Sequence, residues 1–201
     1  VRGQYGDDQL CASSLAVLRL LERIGVRFEI SGIQHLRDLA GPCVVIANHM
    51  STLETVILPA IVLPFRRVTF IVKECLLTYP IFGPIMRSLD PLPVTRTSPR
   101  LDLKTVLEGG VARLQQGASI VVFPQTTRTV AFDPALFTSI GVKLAQRAGV
   151  PVVPLALLTD AWGNGRLVKE AGPVDPARDV RFAFGEPLPV RGRGNEEQHE
   201  I

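Results

Sequence analysis

The chain lacks any apolar run of about 18 residues or more, so no stretch of it reads as a transmembrane helix. Its longest apolar stretches, such as VILPAIVLPF (56–65), are short and broken by proline. Aromatic residues make up only 6%, and the basic residues form no stripe with aromatics between them. That argues against a nucleic-acid partner. The three cysteines, Cys11, Cys43 and Cys75, are odd in number and show no C-x-x-C spacing. They supply neither a disulfide framework nor a metal signature and suit a reducing, cytoplasmic setting. Walker, G-x-G-x-x-G, G-x-S-x-G and H-E-x-x-H patterns are all missing, which leaves the common nucleotide, serine-hydrolase and zinc-protease readings without support. No cluster of metal-ligating residues stands out, so neither metal nor cofactor is expected. No internal repeat is visible.

What remains is a chain of 201 residues, 46% apolar, with a net charge of +3. That length fits one domain with a substantial core. Arg66, Arg67, Lys73, Arg87, Arg96, Arg100 and Lys104 crowd one region. They read either as a solvated surface or as an anion site facing acidic lipids. The chain opens on Val1 rather than Met, which leaves room for an anchoring segment ahead of it.

Leu10, Leu15, Leu18 and Leu21 recur at helical spacing, predicting an amphipathic helix over 9–24 that Asp7 or Asp8 caps and Gly25 ends. Residues 1–25 are thus an N-terminal helix that packs on the domain or faces a membrane. VRFEI (26–30) alternates like a strand, and CVVIA (43–47) is a continuous apolar run suited to a strand buried on both faces. Further strands are predicted at 68–72, 92–95, 119–123, 151–157 and 180–184, with helices at 52–63, 100–116 and 136–148. This alternation implies a single α/β domain over 26–189, its central sheet mixed or largely parallel. Residues 190–201 read as a flexible polar tail.

Two stretches fall where such sheets place their sites, beyond the carboxyl ends of strands. In ANHMSTLET (47–55), His49 follows a buried strand, and imidazole is the side-chain type suited to proton transfer near neutral pH. A histidine base needs an acid to hold its tautomer, and Glu54 is the nearest in sequence. STLE is also a capping box, with Ser51 as cap and Glu54 reaching back to it. The sequence leaves both roles open. In FPQTTRT (123–129), Arg128 offers a two-pronged donor for phosphate or carboxylate. Lys73 and Arg96 end two other strands, so the three cations are candidates to converge on one anion.

Taken together and in order, these stretches resemble the glycerolipid acyltransferase superfamily of lysophosphatidic acid and glycerol-3-phosphate acyltransferases. NHMSTLE resembles the N-H-x4-D block, FPQTTRT the F-P-E-G-T-R-S block, and VPVVPLAL (150–157) the V-P-[IV]-[IV]-P block. LDPLPVTR (89–96) falls where the family carries a segment ending in arginine. The resemblance spans about Ile30 to Leu188. It implies His49 as general base with Glu54 as its acid, and Arg96, Arg128 and Lys73 as phosphate ligands. Asn48, Ser51, Gln125, Thr126 and Thr127 would support or position the acceptor, and backbone N–H groups of the second block would stabilise the oxyanion. The implied reaction moves a fatty acyl group from acyl-CoA or acyl carrier protein to a lysophospholipid, most simply 1-acylglycerol 3-phosphate. The implied location is the cytoplasmic face of a membrane, peripheral or anchored. VILPAIVLPF and YPIFGPIM (79–86) are candidates for the acyl groove. Glu54 stands where the family has Asp, Gln125 where it has Glu, and Thr126 where it has Gly. These departures keep open a catalytically idle lipid-binding relative, and an acyl hydrolase is a third reading.

Overall fold

A computed structural model describes residues 6–79, 82–125, 127–165, 172–192 and 194–201. The first helix, α1, runs Asp7–Arg23. Gly6, not Asp7 or Asp8, is its cap, with the Gly6 N–H donating to Gln9 Oε1 at 3.0 Å. Both aspartates sit in the first turn instead, where the helix dipole favours negative charge. The helix ends at the expected glycine. Gly25 has φ +103°, and the N–H groups of Gly25 and Val26 donate to the carbonyls of Glu22 and Leu21 at 3.0 Å. This is a Schellman closure, and its left-handed position favours a residue without Cβ.

All seven strands expected from the sequence form: β1 (Phe28–Ser31), β2 (Val44–Ala47), β3 (Val68–Lys73), β4 (Leu92–Val94), β5 (Ser119–Val122), β6 (Val152–Leu158) and β7 (Val180–Phe184). They build one sheet in the order β1-β7-β6-β2-β5-β3-β4. From β6 to β4 every pairing is parallel. β7 joins β6 antiparallel, and β1 joins β7 parallel, so those two strands run the other way. The sheet is therefore mixed but mostly parallel.

The helices cover both faces. α3 (Leu53–Val62) and α1 lie on one side with Val45, Ala47, Phe70, Val121 and Val153. α5 (Pro99–Gln115) and α6 (Ile140–Ala148) lie on the other with Val44, Ile46, Ile120, Val122 and Val152. Successive residues of β2 thus point into opposite layers, which is why the strand is apolar without a break. α6 approaches β2 so closely that a Cβ on Gly141 would come within 2.6 Å of Ile46 Cδ1. α1 packs across α3, which buries Ile57, Leu58, Ile61 and Val62. Each such side chain contributes roughly 1.5–3 kcal/mol of burial.

Three short helices were not expected: α2 (Ile33–Arg37), α4 (Phe82–Ser88) and α7 (Asn195–Glu200). α6 also starts later than the predicted 136. Asp133 accepts the Ala135 N–H at 2.9 Å and turns Pro134–Leu136 into a separate 3-10 turn. The polar tail carries the last of the three short helices. Over its last residues it forms α7, its Glu197 is buried and accepts the Arg191 N–H at 2.7 Å, and Val190 and Ile201 pack against the α5–α6 layer.

Because β2 to β6 run parallel, their carboxyl ends share one edge of the sheet. That edge carries Asn48 and His49 after β2, Lys73 at the end of β3, and Arg96 beyond β4. Phe123 to Gln125, Thr127 and Arg128 follow β5, and Thr159 follows β6.

Candidate active site

Asn48 prolongs the sheet with its side chain. Its Nδ2 donates to the Leu157 carbonyl at 2.9 Å, and its Oδ1 accepts the Leu157 N–H at 2.7 Å. The amide thereby satisfies the backbone of β6 beyond the last β2 pairing, and it fixes where the next residue emerges. That residue is His49. Its N–H donates to Gln125 Oε1 at 2.7 Å, and its carbonyl accepts the Thr129 N–H at 2.9 Å. The imidazole stacks on Phe123 with ring centres 4.4 Å apart.

His49 Nδ1 lies 2.8 Å from Glu54 Oε1. Glu54 is fully buried. Oε1 also accepts the N–H groups of Met50 and Ser51 at 2.7 and 3.0 Å. Oε2 accepts the Ser51 hydroxyl at 2.9 Å and the Thr159 hydroxyl at 2.5 Å. Burial pushes this carboxyl up, but the contacts from His49, Thr159 and the Ser51 N–H outweigh it and hold Glu54 below the ordinary glutamate range. It is a carboxylate at neutral pH. A carboxylate only accepts, so the proton shared with His49 belongs to Nδ1, and in the neutral imidazole Nε2 is then the acceptor.

A looser form of the capping box is there as well, its serine accepting one residue earlier than the full motif requires. Thr52 already has helical dihedrals, and the Leu53 N–H donates to Ser51 Oγ at 3.0 Å. Ser51 therefore does the capping, and Glu54 reaches back to its N–H. One carboxylate serves the helix and the histidine at once.

A cavity of about 230 Å³ opens beside His49. Phe70, Ile71, Val72 and Met86 supply much of its apolar wall, and Lys73, Arg96 and Arg128 all line it. The three cations singled out from the sequence thus share one cavity with the histidine. The rest of the basic cluster does not join them. Arg66 donates to the carbonyls of Leu36, Leu39 and Gly41 and fastens the chain between α2 and β2. Arg67 pairs with Asp7 at 3.5 Å, and Arg87 donates to the Leu77 carbonyl.

Arg96 has φ +61°, an unusual left-handed conformation for a residue with a side chain. Asp102, in the first turn of α5, holds it there. One carboxylate oxygen accepts the Thr95 N–H at 2.8 Å, and the other accepts the Arg96 N–H at 2.7 Å. Desolvation raises the Asp102 carboxyl, but these N–H donors outweigh it and set the group below the usual aspartate value.

Gln125 is buried and lines the cavity, its Nε2 donating to Thr129 Oγ1 at 2.7 Å. Thr127 is exposed and stands outside the cavity wall, and Thr126 lies outside the described residues. Of the two groove candidates, VILPAIVLPF is a correction, since most of its apolar residues are spent in the core beneath α1 and Phe65 is exposed. Tyr79 and Met86 of YPIFGPIM do line the cavity, while Pro80 and Ile81 lie outside the described residues. Sequence reasoning missed Thr159, Asp102 and Phe123. Thr159 carried a usable signal, being a polar residue immediately after an apolar strand, as His49 is.

A histidine held by a buried carboxylate thus faces an apolar cavity with three cations on its wall. Residues 27–158 match the family model described as Acyltransferase, and the chain belongs to that family. A 1-acyl-sn-glycerol-3-phosphate acyltransferase of Pseudomonas aeruginosa is 35% identical over 170 residues, covering 85% of this chain and 62% of that protein. The chloroplastic 1-acyl-sn-glycerol-3-phosphate acyltransferase BAT2 of Brassica napus is 29% identical over 140 residues, covering 70% and 38%. The chain thus spans less than two thirds of these relatives' lengths. A crystal structure of the 1-acyl-sn-glycerophosphate acyltransferase PlsC from Thermotoga maritima shares the fold, with a TM-score of 0.69 at 22% identity over 95% of this chain and 73% of that one.

Proposed function

We propose that this chain transfers a fatty acyl group from a thioester, acyl-CoA or acyl carrier protein, to the free hydroxyl of 1-acyl-sn-glycerol 3-phosphate, giving phosphatidic acid. The observation that carries this reading is the 2.8 Å contact between His49 Nδ1 and buried Glu54, at a cavity that Lys73, Arg96 and Arg128 also line. The names of the relatives support the choice of acceptor.

Nε2 of His49 takes the proton of the acceptor hydroxyl as its oxygen attacks the thioester carbonyl. Glu54 stabilises the imidazolium. The tetrahedral intermediate then collapses, the carbon–sulfur bond breaks, and the departing thiolate takes the proton back from Nε2. Arg96, Arg128 and Lys73 hold the acceptor phosphate, and the apolar wall takes acyl chain. Glu54 in place of the family's Asp, and Gln125 in place of its Glu, leave this chemistry in place. The longer acid reaches the histidine, and the amide oxygen still accepts the His49 N–H.

Among the described residues no helix is long and apolar enough to cross a membrane. The loop between cavity residues Arg128 and Thr138 exposes Val130, Phe132 and Leu136. In this reading that loop meets the cytoplasmic leaflet from which the acceptor enters.

The test is acyl transfer from acyl-CoA and from acyl carrier protein to a panel of lysolipids, with wild type and His49→Ala. Transfer to 1-acylglycerol 3-phosphate that His49→Ala abolishes is the expected result, and it removes the reading as an idle relative. No turnover with any acceptor, or a His49→Ala variant as fast as wild type, sinks the proposal. Free fatty acid released at the transfer rate without acceptor would make the chain an acyl hydrolase.

A further inference from the structure

Thr52 lies three residues beyond His49 and lines the same cavity. The residue is 3% exposed, and its hydroxyl oxygen is itself buried without a hydrogen-bond partner. Its neighbours differ. Ser51 bonds Glu54 and Leu53, and Thr55, also on the cavity wall, donates to the Thr52 carbonyl at 2.8 Å. Nor does the Thr52 side chain cap α3, because Ser51 does so. A buried hydroxyl left unpaired destabilises a fold, and native interiors rarely keep one. Valine has the same shape without that cost, so the hydroxyl calls for a partner that arrives with ligand.

We infer that Thr52 is a substrate-binding residue, its buried hydroxyl turning about χ1 into the cavity to donate to a substrate oxygen beside His49. The inference rests on the acyl-transfer reading for the identity of that oxygen. Two sources share the chemistry. One is the thioester carbonyl, whose oxygen gains negative charge as the acceptor attacks, and the other is an ester or phosphate oxygen of the bound acceptor. The partner changes the kinetic signature: a contact to the oxyanion appears in kcat, a contact to the acceptor in its KM.

The experiment compares wild type, Thr52→Val and Thr52→Ser in three measurements. These are thermal melts without substrate, steady-state acyl transfer, and the melting shift induced by 1-acylglycerol 3-phosphate or by a non-hydrolysable acyl-CoA thioether. Thr52→Val should melt no lower than wild type, because it sheds an unpaired buried group. Its turnover should fall about a hundredfold or more in kcat if the partner is the oxyanion. If the partner is the acceptor, its KM should rise about tenfold. Thr52→Ser restores the hydroxyl and should recover most of the loss. A Thr52→Val variant within about threefold of wild type in both constants overturns the inference. So does one that loses activity only in step with its melting temperature, which would mark a structural role. If wild type proves inactive, the acyl-transfer reading falls on its own. The induced melting shifts then decide for Thr52, and equal shifts in wild type and Thr52→Val overturn it.

Discussion

Replacing Glu54 by glutamine separates its two duties, because the amide keeps the size of the carboxylate and one of its acceptors. The helix-side duty is to take up the Ser51 N–H, the Ser51 hydroxyl and the Thr159 hydroxyl. The two hydroxyls can rotate and accept from a new NH2 group, so most of these contacts survive in weaker, uncharged form. The substitution also removes a buried charge and its desolvation cost. The net loss of stability should therefore be small, about 1–2 kcal/mol. The histidine-side duty depends on charge. With the charge centres of imidazolium and carboxylate about 4 Å apart and an effective dielectric near 20, their attraction is worth about 4 kcal/mol. At about 1.4 kcal/mol per decade, its loss from the transition state slows transfer by roughly a thousandfold. Initial rates of thiol release at saturating acceptor, set beside urea denaturation of the same preparations, measure both. A Glu54→Gln enzyme within tenfold of wild-type kcat, but destabilised by more than about 3 kcal/mol, would refute the reasoning and leave Glu54 as helix punctuation.

The depressed Glu54 carboxyl gives a second expectation, since a folded-state pKa below the unfolded one adds stability that is complete above the ordinary glutamate value. That stability drains away as pH falls through the folded value, so urea midpoints taken downward from about pH 5 should fall less steeply in Glu54→Gln than in wild type. Asn48→Ala strips both partners from the Leu157 backbone and should cost about 1–3 kcal/mol in denaturant melts; an unchanged midpoint would show that the side chain is dispensable to the edge of the sheet. Asp102→Ala frees the turn that presents Arg96 and should raise the KM for the acceptor by roughly threefold to tenfold with little change in kcat; equal losses in both would contradict a positioning role.

How much of this was legible from the residues depends on the range of each signal. Strand positions were readable because a strand buried on both faces must be apolar throughout, as in β2 and β5. His49 was readable because a polar residue following such a strand lies at the sheet's carboxyl edge. The capping box was readable because it spans only four residues. Thr159 was not readable as a partner of Glu54, since 105 residues separate them and only the parallel β2–β6 pairing brings them together. The acyl-groove candidate at 56–65 failed for a related reason. Apolar character marks what leaves water, and it does not say whether the cover is protein or ligand. The short helix α7 was not readable because one buried acid, Glu197, and Ile201 dock it, and composition does not announce that.

The order of strands and helices, the location of His49 and the local link between Ser51 and Glu54 follow from short-range patterning, because periodicity and capping act within a few residues along the chain. The ionised state of Glu54, the gathering of Lys73, Arg96 and Arg128 at one cavity, and the orphaned hydroxyl of Thr52 exist only in the assembled sheet. Each depends on which groups are excluded from water together, and strand order settles that across the whole domain.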